Sequence, residues 1–159
     1  MDEVAQLFAE DFRVGDRFEG AANPVTERAF EVFAEVTGDA HPIHYDEAYA
    51  KAHGYEKPVA HGLLTMAMTA LGAAALARQL NASMIAFLSQ GAEFRRPVFV
   101  GDTLRSEFEV NSVALQPERG RGRVGFEVRL YNQHDELVLD GHHLYLLRSR
   151  DRAHSRSKA

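Results

Sequence analysis

The stretch Gly62-Leu-Leu-Thr-Met-Ala-Met-Thr-Ala-Leu-Gly-Ala-Ala-Ala-Leu-Ala-Arg-Gln-Leu80 has no charge before Arg78 and no polar stripe at helical spacing. It predicts one helix over about 62–80. A helix apolar all round has to be enclosed on most sides, and its many alanines and glycines let a neighbouring backbone approach closely. The chain that follows supplies the enclosure. Leu104, Ser106, Phe108 and Val110 alternate with Arg105, Glu107 and Glu109, and Val124, Phe126, Val128 and Leu130 alternate with charged residues and Gly125. Such period-two runs mean antiparallel strands with one face buried and one wet. Met84–Phe94 reads as a further strand. Leu137, Leu139, Leu144 and Leu146 mark a last one, with a register change expected near Gly141-His142-His143. Gly101-Asp102, Asn132-Gln133 and the Gly-Arg-Gly-Arg run at 120–123 read as turns. The sum is an α+β domain, a curved antiparallel sheet wrapped around a central buried helix.

Upstream, Phe12, Val14 and Phe18 surround a Gly15-Asp16 turn and predict a short strand or hairpin. Thr26 offers an N-cap oxygen to a helix whose Phe30, Phe33 and Val36 are spaced three apart, and Gly38 can close it in the left-handed region. Residues 39–60 are polar and irregular, with Asp46 capping a short helical turn through Ala52. Long connections of this kind inside a compact domain are usually functional. Asp39 follows the helix end directly, and Pro42 restricts the turn that leads to His44. A carboxylate and an imidazole held a short turn apart can grip one water, and histidine passes protons both ways near neutrality. Gly62 starts the buried helix, where free N–H groups suit a developing oxyanion. His61 either orients the loop or satisfies the helix start.

At this point the sequence resembles a known family, the MaoC-like dehydratases and (R)-specific enoyl-CoA hydratases of the hot-dog fold. Phe33, Thr37, Gly38, Asp39, Pro42, Ile43, His44 and Ala50 match the family's hydratase motif. Pro58-Val-Ala-His61-Gly62 resembles its entry to the central helix, and Arg96-Pro-Val-Phe-Val-Gly-Asp-Thr-Leu104 its strand-turn-strand signature. The likeness spans roughly Phe12 to Leu147. It implies a hydro-lyase that adds water reversibly to a trans-2-enoyl-CoA to give the (R)-3-hydroxyacyl-CoA, as in fatty acid metabolism. Asp39 and His44 would be the catalytic pair, with the Gly62 amide on the thioester carbonyl and His61 and His41 beside the substrate. Two positions depart from the pattern. His41 stands where the family has asparagine, and Ala70 where some members carry serine.

Other readings stay open. A thioesterase on the same fold, or a non-catalytic acyl-thioester-binding domain, would share the architecture but has no need of the Gly-Asp-x-x-Pro-x-His arrangement. Arg95 and Arg96 are surface charges or contacts for coenzyme A phosphates, Met66 and Met68 core or acyl-tunnel lining, and His142-His143 ordinary strand residues, one on each face. No metal is expected: Pro42 excludes His41-Pro-Ile-His44 from a regular helix, so the helical metalloprotease spacing does not apply. No cofactor is expected either, coenzyme A being part of the substrate, which is an acyl-CoA or an acyl-carrier thioester.

Composition sets the frame. The chain has 159 residues, 45% of them hydrophobic, and no cysteine, which removes disulfides, thiol nucleophiles and cysteine-based metal sites. From Arg148 onward the chain is net +4, which leaves −9 of the total −5 on the body, and an acidic body argues against nucleic acid as the main partner. The acidic N-terminus lacks the order of a signal peptide, and the longest apolar run is short of the roughly 20 residues of a membrane span. A cytoplasmic protein is expected, with one domain over 1–148 and a disordered basic tail over 149–159. A curved sheet leaves edges exposed, and pairing of protomers at the edge is a common remedy. A homodimer is therefore expected, with further pairing into a dimer of dimers as the alternative.

Overall fold

The computed structural model describes residues 4–71 and 74–150. Five strands, β1 (Arg17–Pro24), β2 (Met84–Phe94), β3 (Thr103–Gln116), β4 (Arg121–Tyr131) and β5 (Leu137–Arg148), form one antiparallel sheet in the order β1-β3-β4-β5-β2. The α+β architecture is the predicted one. Alternation works as read: Leu104, Phe108, Val110, Phe126, Val128 and Leu130 are each at most 1% exposed. Their side chains, with Phe12 from the N-terminal segment, form the apolar face against which the helices lie. That segment holds a 3-10 turn at Ala9–Asp11 ahead of the Gly15 turn, and pairing begins at Arg17.

The last strand differs from expectation. Its pairing with β4 runs without a slip from Arg121↔Arg148 to Leu130↔Leu139, straight through Gly141-His142-His143. The buried face carries Leu139, His143, Tyr145 and Leu147, while Leu144 and Leu146 are half-buried on the other face. Leucine occurs on both faces here, so its spacing misplaces the register, which cross-strand hydrogen bonds set.

The helical parts are α1 (Glu27–Thr37), α2 (Glu47–Ala52), α3 (Gly62–Ala67) and α4 (Ala75–Gln79). The single helix predicted over 62–80 is thus two short ones. After Ala67 the chain tightens into i→i−3 bonds, Thr69 N to Met66 O and Ala70 N to Ala67 O. The Thr69 hydroxyl also donates to Met66 O at 2.7 Å, a side chain competing with the helical ladder. Nor is α3 enclosed on most sides within one chain: Leu64 and Thr65 are buried, but Leu63 is 66% exposed. On α1, Phe30 is buried and Phe33 half-buried, yet Val36 is 80% exposed. Each step of three residues falls about 60° short of a full turn, so by Val36 the spacing has rotated off the core.

The expected disordered tail lies, for 151–159, outside the described residues. Ser149 and Arg150 are held to the body: Ser149 N donates to Gly120 O, and Arg150 reaches Glu10, Asp11 and the ring of Phe8. No helix among the described residues is long and apolar enough to cross a membrane.

Candidate active site

The irregular segment is built from the end of α1 outward. Thr26 caps α1 by accepting from Ala29 N, and Gly38 closes it at φ 77° with its N–H on Ala34 O. The Thr37 hydroxyl donates to Phe33 O at 2.6 Å and accepts from Asp39 N at 3.2 Å, fixing the first residue past the helix. The Asp39 carboxylate accepts from His41 N. His41 then caps a 3-10 turn over Pro42–His44 by taking Ile43 N on its Nδ1, with Pro42 at the first position. An asparagine side-chain oxygen makes the same turn, so His41 keeps the backbone course despite the change of residue.

His44 Nδ1 lies 2.7 Å from Val59 O. A carbonyl only accepts, so Nδ1 carries the proton and the Nε2 lone pair is left free. Val59 N returns a bond to Ile43 O, and Ala60 N bonds Val98 O, which ties both ends of the segment to one place. His44, Gly62 and Thr65 line a cavity of about 410 Å³ together with Phe94, Arg95 and Arg96. Imidazole and helix start thus border one cavity. Asp39 does not line that cavity; it is exposed at its edge, with ligand-type atoms of Asp39, His44 and His61 all within 4.8 Å of one another. Because α3 has only six residues, a helix dipole adds little at Gly62. The contribution there is the local N–H, which has no partner four residues back. Phe94 packs against this glycine: a Cβ built on Gly62 would stand 3.1 Å from the ring.

His61 and His41, expected beside the substrate, do not line the cavity, and the burial and stacking of His61 are among three features that escaped sequence reading. His61 is 1% exposed and stacks on His44, centroids 3.8 Å apart and planes 26° apart. Its Nε2 faces Asp39 O at 3.1 Å and the Tyr45 hydroxyl at 3.2 Å, and it makes no capping bond to α3. Phe33 and Phe30 pack on its other sides at 4.7 and 5.6 Å. Burial, reinforced by the nearby His44, lowers the His61 pKa, and burial raises that of Tyr45. Thr65 reaches the cavity wall. Lastly, Thr69, His143 and Tyr145 make a buried polar chain beneath the sheet. The signals available were Phe33 and Tyr45, aromatic residues flanking the two motif ends.

The remaining candidates divide. Arg95 and Arg96 reach the cavity rim while pairing with Glu93, Asp140 and Glu136. Met66 and Met68 pack against the core cluster of Phe30, Leu64 and Leu130. Ala70 is exposed. Asp39, His44 and His61 have the residue types of a metal site, but their geometry does not fit one. A metal sits in the imidazole plane at about 2.0–2.1 Å, whereas rings stacked this nearly parallel aim their lone pairs side by side. The two nitrogens that face carbonyl oxygens must also keep their protons.

A five-stranded antiparallel sheet against central helices is the hot-dog fold, and this example carries a carboxylate–imidazole pair beside a cavity. The chain belongs to the MaoC-like domain family, whose model matches residues 11–130. It is 33% identical over 153 residues to a 3-hydroxybutyryl-CoA dehydratase of Methylorubrum extorquens, covering 96% of this chain and 92% of that one. It is 36% identical over 109 residues to an (R)-specific enoyl-CoA hydratase of Aeromonas caviae, covering 69% and 76%. Among solved structures, a protein of Archaeoglobus fulgius described as a monoamine oxidase regulatory protein matches with TM-score 0.85 at 30% identity, covering 94% and 99%. The two relatives named by reaction act on acyl-CoA thioesters as a dehydratase and a hydratase.

Proposed function

We propose that this protein is a hydro-lyase that adds water to the double bond of a trans-2-enoyl-CoA, giving the (R)-3-hydroxyacyl-CoA, and runs the reverse dehydration. The observation that carries the reading is the free Nε2 of His44 on the same cavity wall as Gly62, with Asp39 beside it. In hydration, His44 Nε2 takes a proton from water as the water oxygen bonds to C3. The C2–C3 electron pair shifts toward the thioester carbonyl, whose oxygen meets the Gly62 N–H. C2 then takes a proton from the Asp39–His44 pair, so no proton or electron pair is left over. Coenzyme A, or an acyl carrier, enters as part of the substrate, with Arg95 and Arg96 at the rim able to meet phosphates. We place the reaction in the cytoplasm.

Incubation with crotonyl-CoA tests this. Enoyl absorbance is expected to fall without release of free thiol, and Asp39→Asn and His44→Ala each to cut turnover at least about a hundredfold. Free thiol would instead mean a thioesterase. Turnover unchanged in both variants would take the catalytic roles away from Asp39 and His44.

A further inference from the structure

We infer that His61 is a positioning residue of the catalytic pair, a neutral imidazole protonated on Nε2 that ties the Asp39 backbone to Tyr45 and forms the platform on which the His44 ring lies. The role rests on the hydro-lyase reading; the geometry does not. The tautomer follows from the partners. Tyr45 has one hydroxyl proton and gives it to Phe30 O at 2.9 Å, so its oxygen accepts at His61 Nε2. Asp39 O also accepts there. Both contacts demand Nε2–H. His61 Nδ1 is buried without a hydrogen-bond partner among the described residues, so a second proton would be a buried donor with no acceptor, which is costly. Phe30, Phe33 and the ring stack make the surroundings apolar, and burial holds the ring in its neutral form.

Two consequences bear on chemistry. Were both rings charged, cations stacked 3.8 Å apart would repel; a neutral His61 leaves His44 as the ring that takes the proton. Among the described residues the His44 ring makes one hydrogen bond, to Val59 O, and its closest ring contact is the stack on His61, ahead of His41 at 6.2 Å and Tyr45 at 6.3 Å. His61 makes no capping bond to α3, so supporting that helix is not what its polar atoms do.

Long-range 1H–15N spectra of the histidine-labelled protein read the tautomers without any assay. Nε2–H at His61 and Nδ1–H at His44 are expected across neutral pH, and an Nδ1–H or cationic His61 overturns the inference. Two variants then separate its parts: His61→Gln keeps a donor near Nε2 and loses the stack, while His61→Phe keeps a flat ring and loses the donor. Each is expected to lower kcat about tenfold or more, toward the roughly hundredfold cost of an ångström-scale misplacement, with KM little changed. Unchanged kcat at matching Tm, or a loss confined to KM, overturns the inference. A wild-type protein that hydrates no enoyl-CoA defeats the proposed function instead, while the spectra still decide the tautomer.

Discussion

The Thr37 hydroxyl sits between the last turn of α1 and Asp39, donating to one backbone group and accepting from the next. Its part is to fix where the carboxylate begins. Thr37→Val keeps the shape and removes both bonds, one of them the tie on Asp39 N. We expect a stability loss of about 1 kcal/mol, the scale of one net hydrogen bond, and a kcat loss several times larger in proportion than any change in KM. Denaturant melts and steady-state kinetics on crotonyl-CoA check both; a variant as active as the parent would show that Asp39 is held from elsewhere. His41 illustrates the reverse case, a changed residue whose Nδ1 preserves the turn.

At the scale of elements, β5 meets the end of α3 through a closed hydrogen-bond chain. Thr69 gives its proton to Met66 O, so it accepts from His143 Nε2–H, and His143 Nδ1 accepts from the Tyr145 hydroxyl. Every group is satisfied only while His143 is neutral. Burial, with His142 beside it, holds its pKa down at about 4 against 6.5 for the free side chain. The unfolded chain therefore binds the extra proton first. Stability from this group is complete above about pH 6.5 and is lost as pH falls toward 4. A tenfold change in proton affinity is worth about 1.4 kcal/mol, so roughly 3 kcal/mol is at stake. Denaturation series between pH 7.5 and 4.5 should show the wild type losing more stability than His143→Leu does over that range. Parallel pH profiles would mean that His143 does not titrate on unfolding.

At the scale of the whole molecule, β1 and β2 are the two edge strands of the sheet. Among the described residues β2 pairs with β5 alone, and Ile85, Phe87, Leu88 and Phe94 on it are 41–51% exposed. Apolar edge strands of this kind are aggregation sites unless covered. We propose a second copy of the chain as the cover, which would also screen Phe94 and the nearby cavity from water. Sedimentation equilibrium is expected to give twice the 17.7 kDa chain mass. Ile85→Lys with Leu88→Lys should give a folded monomer with weakened activity. A wild-type monomer at micromolar concentration would dismiss the pairing.

Much of this was legible in residue order. Alternation along β3 and β4, the Thr26 and Gly38 caps, and the Asp39–Pro42–His44 spacing are local facts, set by backbone sterics and by which side chain meets the next turn. The sequence by itself therefore determined the α+β class, the helix limits of α1 and the identity of the catalytic candidates. Tertiary structure alone decided that the apolar run at 62–80 breaks after Ala67, that β5 keeps its register with His143 inward, and that His61 lies under His44. Each of these depends on a partner far along the chain, such as His143 for Thr69 or Phe33 for His61. Apolar content and spacing do not name that partner, because burial and hydrogen bonding are properties of assembled elements.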